Sequence, residues 1–309
     1  MTAQSAYTYD AFGLSIESDF PLHELRPTDA ARAPDLVIRN HPIGRPMPTR
    51  EEGVVMDYTD PKGVLMAWPE VAGFRFVDDQ TIWAEKPEAT TDRMLAFPLL
   101  GPVMAWALNS IGLFVLHAST VQVNGRTIAF LGDKLAGKST TAAAFVRAGH
   151  SLVTDDLLAI EMTKGKRPMC RPAFPQVKLE DKAAKSVIID GADAQPLVME
   201  GFPKRQHRLE TMVTSATSID CLVRLERGGN EPVFEALPTP QAIDCLARFS
   251  YMPRFASAPW TKADDHKHFS HCVGLADQSL VGRLQVPDDL ERLDETVDLV
   301  ANLLNGLPE

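Results

Sequence analysis

The chain is short of cysteine, of aromatic residues and of positive charge, and each shortage excludes something. Only four cysteines occur in 309 residues, Cys170, Cys221, Cys245 and Cys272. No two stand in C-x-x-C spacing, so no disulfide framework is expected. They read as small buried side chains in a reducing compartment, which points to the cytoplasm. The net charge is −10, which argues against a general nucleic-acid binder with a basic surface. The first residues, Met-Thr-Ala-Gln-Ser-Ala-Tyr-Thr-Tyr-Asp, lack the charged and apolar regions of a secretion signal. The most apolar stretch, Met94 to Leu116, is interrupted by Pro98, Pro102 and Asn109 and reads as a buried helix, not a membrane span. Internal repeats and low-complexity tracts are absent. What remains, 45% hydrophobic and 23% charged residues, suits a folded protein with an ample core.

Within that ordinary composition lies one specific pattern. Gly132-Asp133-Lys134-Leu135-Ala136-Gly137-Lys138-Ser139-Thr140 fits G-x-x-x-x-G-K-[ST], a loop whose successive backbone N–H groups wrap a phosphate. In that motif Lys138 reaches the β- and γ-phosphates of a nucleoside triphosphate, and the Ser139 hydroxyl ligates Mg²⁺. The context agrees. Arg126 to Leu131 reads as a buried strand, Ser139 to Ala148 as an alanine-rich helix, and Gly149 as its C-terminal cap. A helix N-terminus therefore faces the phosphate. Asp155-Asp156 follows after one further short strand, His150 to Thr154.

Three regions separate along the chain. Residues 1 to about 90 contain short strand-like runs at Leu14–Ser18, Leu36–Arg39, Gly53–Tyr58, Val64–Trp68, Gly73–Val77 and Thr81–Glu85, which suggest a small, mainly antiparallel domain. Residues from about 91 to 116 are expected to be helical. From Val115 to Val123 a strand is expected, then the hairpin signal Asn124-Gly125, so the P-loop strand has an antiparallel partner before it. Leu157–Glu161 and Ile219–Leu225 read as strands, Pro240–Phe249 and Pro287–Leu304 as helices. Pro172, Pro175 and Pro203 suggest a loop-rich stretch up to His207. Lys204-Arg205-Gln206-His207-Arg208 is either a phosphate- or substrate-binding cation cluster or a solvated loop. Asp264-Asp265-His266-Lys267-His268 with His271 lacks metal-ligand spacing and reads as an exposed polar loop.

The run Leu116-His117-Ala118-Ser119, the Asn-Gly hairpin, Gly132 to Ser139, and Arg147 to Asp156 together resemble the catalytic domain of HPr kinase/phosphorylase over about 40 residues. The flanks, with Phe12-Gly13-Leu14 and Ser18-Asp19-Phe20-Pro21-Leu22, resemble its relatives in peptide natural-product clusters, including lasso-peptide precursor kinases. The resemblance implies an α/β fold: a P-loop domain with a mixed sheet over residues 91–309, preceded by a strand-rich domain over 1–90. It implies ATP and Mg²⁺ as cofactors, Asp155 as the base that takes the proton of an attacking serine, Asp156 as a positioner of Mg²⁺ or of the base, and His117 beside the phosphate site. The family's downstream signature, Ile-Arg-Gly-Leu-Gly at its heart, is missing. Lys178-Leu179-Glu180 stands in that region, which puts an HPr substrate and the reverse reaction in doubt. Lys134-Leu135 replaces the usual small pair in the loop, and Lys134 either adds a cation or points to solvent.

The resulting expectation is an ATP-dependent serine kinase acting on a peptide or small protein, with a lasso precursor peptide as one acceptor, no nucleic-acid or membrane partner, and self-association left open. Two alternatives stand beside it. A small-molecule kinase of the nucleotide or shikimate type also places an Asp after the P-loop helix but usually starts near the P-loop. A non-catalytic nucleotide-dependent module would have no reason to keep Lys138, Ser139 and Asp155 together.

Overall fold

A computed structural model describes residues 6–30 and 32–308. The chain divides into two compact units, one running to Gly112 and including Phe255–Thr261, the other formed by Leu113–Arg254 and the residues from Lys262 onward. This division groups the helical stretch after residue 91 with the strand-rich part, whereas the sequence reading grouped it with the P-loop part.

The first unit is built on an eight-stranded mixed sheet. Leu14–Ser18 and Thr81–Glu85 form at the expected positions. Most neighbours pair antiparallel, but Leu36–Asn40 runs parallel to both of its neighbours. Two strands, Tyr7–Ala11 and Arg26–Pro27, carried no strong sequence signal. Arg75 is buried, and its guanidinium donates to Ile43 O at 2.6 Å, Gly63 O at 3.1 Å and Asp60 Oδ2 at 3.0 Å. A buried guanidinium is tolerable only when its donors are met in this way. The helical stretch is not one helix. Asp92–Pro98 is capped by the Thr91 hydroxyl, a π-helical turn spans Leu99–Val103, and Met104–Ser110 completes it. Pro98 and Pro102 remove amide donors from the ladder, which accounts for the break. The helical structure ends at Ser110, short of the expected Leu116, because Gly112 takes φ +95°.

The second unit contains a six-stranded mixed sheet in the order 151–154, 118–123, 126–131, 221–227, 280–286, 233–236. Asn124 and Gly125 both take positive φ, 51° and 83°, as a two-residue hairpin of this hand requires. The P-loop strand Arg126–Leu131 thus gains an antiparallel neighbour on one side and the parallel strand Cys221–Arg227 on the other. It is buried on both faces. Ile128 and Phe130 pack with Ala142, Ala143, Ala144 and Phe145 of the helix Lys138–Arg147. Ala129 and Leu131 belong to a second core with Leu246, Cys272 and Leu275.

Several expectations are corrected here. The expected strand Val115–Val123 is two strands, Phe114–Leu116 and Ala118–Val123, in different sheets. The first pairs with Leu158–Glu161 in a four-stranded antiparallel sheet. The stretch expected to be loop-rich up to His207 holds the strands Met169–Arg171, Gln176–Glu180 and Lys204–Arg208 and a short helix, Asp181–Ser186. Its prolines stand between the elements. Asp264 to His271 lies inside the helix Lys262–Gln278, not in a loop. That helix buries only Cys272 and Leu275, so its apolar periodicity was too sparse to read. Among the described residues no helix is long and apolar enough to cross a membrane.

The helix behind the P-loop is held chiefly by Phe145, fully buried, with its ring 5.3 Å from that of Phe130. Phe145→Ala is expected to destabilise the chain by about 3–5 kcal/mol, the usual cost of truncating a buried phenylalanine. Equilibrium urea unfolding followed by far-UV circular dichroism measures it. Phe145→Leu should cost clearly less.

Candidate active site

The candidate residues collect where the chain passes between two sheets. One passage is at His117, between Phe114–Leu116 of the four-stranded sheet and Ala118–Val123 of the six-stranded sheet. The other is at Asp155-Asp156, between Ser151–Thr154 of the six-stranded sheet and Leu158–Glu161 of the four-stranded one. The two passages are joined, with His117 Nδ1 3.0 Å from Asp156 O. The second is tightened by the Thr154 hydroxyl, which donates to Leu157 O at 2.5 Å. Asp156 takes φ +73°, a left-handed conformation that aspartate tolerates better than most residues.

Asp155 is buried at 6% exposure. Its Oδ1 accepts from the Ser119 hydroxyl at 2.5 Å and its Oδ2 from the backbone N–H of Lys178 at 2.9 Å. Asp156 is less enclosed, and its Oδ2 meets the Lys178 ammonium at 2.7 Å. Burial and the neighbouring Asp156 charge raise the Asp155 carboxyl above the ordinary carboxylate range. Asp156 also pays for burial, but the Lys178 ammonium and the other nearby cations outweigh that and hold it well below the range. The pair is therefore split, one carboxylate proton-seeking and one firmly ionised.

The loop 132–137, which carries the phosphate-binding sequence pattern, lies between the strand Arg126–Leu131 and the helix Lys138–Arg147. Gly137 takes φ +95° and Leu135 φ +71°, which turn the loop back toward the helix N-terminus. Lys138 and Ser139 are buried in the first helical turn, while Asp133, Lys134 and Leu135 are exposed. The Lys138 ammonium folds onto its own loop, donating to Gly132 O at 2.8 Å and Asp133 O at 3.1 Å. Burial lowers its affinity for its proton, and the charges of Asp156 and Asp155 act in the opposite sense. Asp133 is paired at the surface with Arg248 at 2.8 Å.

His117 is pushed down to about 4, by burial first and then by the Lys138 charge. Its backbone N–H donates to Phe249 O at 2.9 Å, and its ring stands edge-on to Tyr251 with 6.1 Å between centroids. Arg254 covers Tyr251 at 5.1 Å. Ser119, Lys178, Tyr251 and Arg254 went unassigned in the sequence reading. Ser119 was visible only as part of the His-Ala-Ser run. Lys178 was visible only as a replacement for a missing signature.

A divalent cation of the magnesium type would find two hard oxygen donors here, the Ser139 hydroxyl and the Asp156 carboxylate. Mg²⁺ usually takes one or two protein oxygens and completes its shell with waters and phosphate oxygens, so this sparse donor set fits it. Among the described residues no cluster of three or more His, Cys, Asp or Glu side chains forms a site made by protein alone.

No family model matches the chain, and no curated protein matches it. Among solved structures it is similar to the Hpr(Ser) kinase/phosphatase from Coxiella burnetii at 12% identity, covering 61% of this chain and 96% of that one with a TM-score of 0.29. A likeness at that score carries no weight for the chemistry.

The position of His117 makes a pH prediction. The folded state keeps the ring neutral down to about 4, against 6.5 in the unfolded chain. Between those values the unfolded chain binds more protons here, so this contribution to stability is intact above 6.5 and is lost as pH falls through the window. NMR titration of the ring, without added nucleotide or metal, is expected to show no protonation at pH 6. A midpoint at the ordinary histidine value would contradict the enclosed environment.

Proposed function

We propose that the chain is an ATP-dependent phosphotransferase that passes the γ-phosphoryl group to a hydroxyl, with a peptide serine as the acceptor. The observation that supports this most is the split carboxylate pair beside the P-loop, with Lys138 close enough to feel both charges. Phosphoryl transfer asks little covalent chemistry of a protein. It needs the donor phosphates held, the negative charge neutralised and a base at the attacking hydroxyl.

The residues divide that work. The P-loop amides and the helix N-terminus hold the phosphates. Lys138 exchanges its two loop carbonyls for phosphate oxygens. Asp155 takes the hydroxyl proton: its raised proton affinity suits a base, and Ser119 with the Lys178 N–H fixes its plane. Each of its oxygens keeps a lone pair for that purpose. Ser139 and Asp156 would hold Mg²⁺, which when bound supplies charge neutralisation at the transferred group. His117 holds the Asp156 carbonyl and fixes the passage that carries both carboxylates.

A peptide acceptor is supported by the first unit, whose sheet has a short edge strand at Val55–Asp57 next to the exposed Val54. Such an edge accepts an added strand. A lasso-type precursor peptide is the specific acceptor we propose. Mass spectrometry on candidate precursor peptides incubated with enzyme and Mg·ATP tests it. Phosphate on a peptide serine supports the reading, and phosphorylation of metabolites alone would move the chain to the small-molecule kinases.

Two substitutions separate binding from chemistry. Lys138→Ala is expected to weaken Mg·ATP about 10- to 100-fold by calorimetry, the worth of charge-assisted hydrogen bonds. Asp155→Asn should leave that affinity in place and cut the transfer rate by about 10²–10⁴. If Asp156→Asn is the inactive variant and Asp155→Asn turns over normally, the roles within the pair are reversed.

A further inference from the structure

The cluster Lys204 to Arg208, left open by the sequence, forms the middle strand of a three-stranded antiparallel sheet between Gln176–Glu180 and Asp193–Ala194. Its register places Gln206 opposite Lys178 and Lys204 opposite Glu180. Side chains alternate along a strand, and directly opposed residues share a face. Lys178, Glu180, Lys204 and Gln206 therefore occupy one face, and Val177 and Leu179, which are buried in the core, occupy the other.

That polar face is the one turned to the carboxylate pair, because Lys178 reaches Asp156 across it at 2.7 Å. Lys204 lies diagonally next to Lys178 on this face, and it is half-buried. Among the described residues its ammonium forms no ion pair, although the chain as a whole carries a charge of −10. Its charge is felt both by Lys138 on the P-loop and by Asp156. Beside it, Gln206 is buried at 3% exposure, and among the described residues its Oε1 has no hydrogen-bond partner.

We infer that Lys204 is a catalytic cation for the phosphoryl group in flight, on the sheet face turned to the Asp155-Asp156 pair. The inference rests on the proposed phosphotransfer. In that step the bond from the γ-phosphorus to the bridging oxygen breaks, and its electron pair leaves on the β-phosphate. A bond forms from the phosphorus to the acceptor oxygen, and the hydroxyl proton passes to Asp155. Nothing is oxidised or reduced. Lys178 is paired with Asp156 and Lys138 would serve the donor phosphates, while Lys204 is a further cation whose charge acts on both Lys138 and Asp156. A cation placed there acts on the transition state more than on either ground state.

A transition-state mimic tests this without the acceptor. Calorimetry with Mg·ADP, with and without fluoroaluminate, is run on the full chain and on Lys204→Met and Lys204→Arg. For the wild type we expect fluoroaluminate to tighten Mg·ADP at least about ten-fold, as transition-state analogues do. Lys204→Met should keep the Mg·ADP affinity and lose the tightening, and Lys204→Arg should restore part of it. Tightening that is unchanged in Lys204→Met, or absent from the wild type, overturns the inference. So does an equal loss of plain Mg·ADP affinity in Lys204→Met, which would make Lys204 a nucleotide-binding residue only. A wild type that binds neither Mg·ADP nor Mg·ATP instead removes the phosphotransfer reading itself.

Discussion

The ion pair and hydrogen bonds that Lys178 makes to the two carboxylates set the geometry of the rest of the site. One residue holds Asp155 through its backbone N–H and Asp156 through its ammonium. It can do so because it belongs to a sheet different from either sheet that the carboxylates link. A carboxylate at 6% exposure is costly unless its oxygens are met, so Asp155 can stay buried only while Ser119 and the Lys178 amide remain in place. Three separate pieces of backbone thereby converge on one side chain. Burial and the Asp156 charge raise Asp155 against the opposite pull of these contacts, while the Lys178 ammonium lowers Asp156, so the adjacent acids differ in proton affinity, as they must to play different parts.

Much of this was legible in the sequence, for reasons that can be named. The P-loop strand, turn and helix follow from local chemistry: glycines where φ is positive, a buried strand before, an alanine-rich run after. The Asn-Gly hairpin is equally local. His117 and Asp155-Asp156 could be singled out, but not the reason they lie together. The run from Val115 to Val123 reads as one continuous strand, and nothing in it shows that the chain changes sheets at His117. Propensity is indifferent to which sheet a strand joins. Lys178 was hidden for the same reason, and Lys204 could be named only within a cluster whose role stayed open. Their importance comes from the register between strands far apart in sequence, in a stretch whose prolines suggested loops. The helix Lys262–Gln278 was missed because its buried face consists of only two residues.

On the proposed function, the charge arrangement explains how an acidic chain would hold a triphosphate. The net charge of −10 is spread over a large surface, and at physiological salt exposed charges are screened beyond about 8 Å. The field inside the site is therefore set by the groups that line it. Lys138, Lys178 and Lys204 oppose Asp155 and Asp156 there, and the site is near balance before any ligand enters. An arriving phosphate oxyanion would then meet cations already desolvated by the fold, such as Lys138, whose proton affinity is lowered mainly by burial. Such cations interact more strongly with a phosphate than exposed ones would. The burial that lowers the proton affinity of Lys138 thus also prepares it for its ligand, and the two carboxylates act against that lowering and favour its charged form. On this reading the acid pair has a second use besides base and metal chemistry: it favours the charged state of the cation that binds the donor.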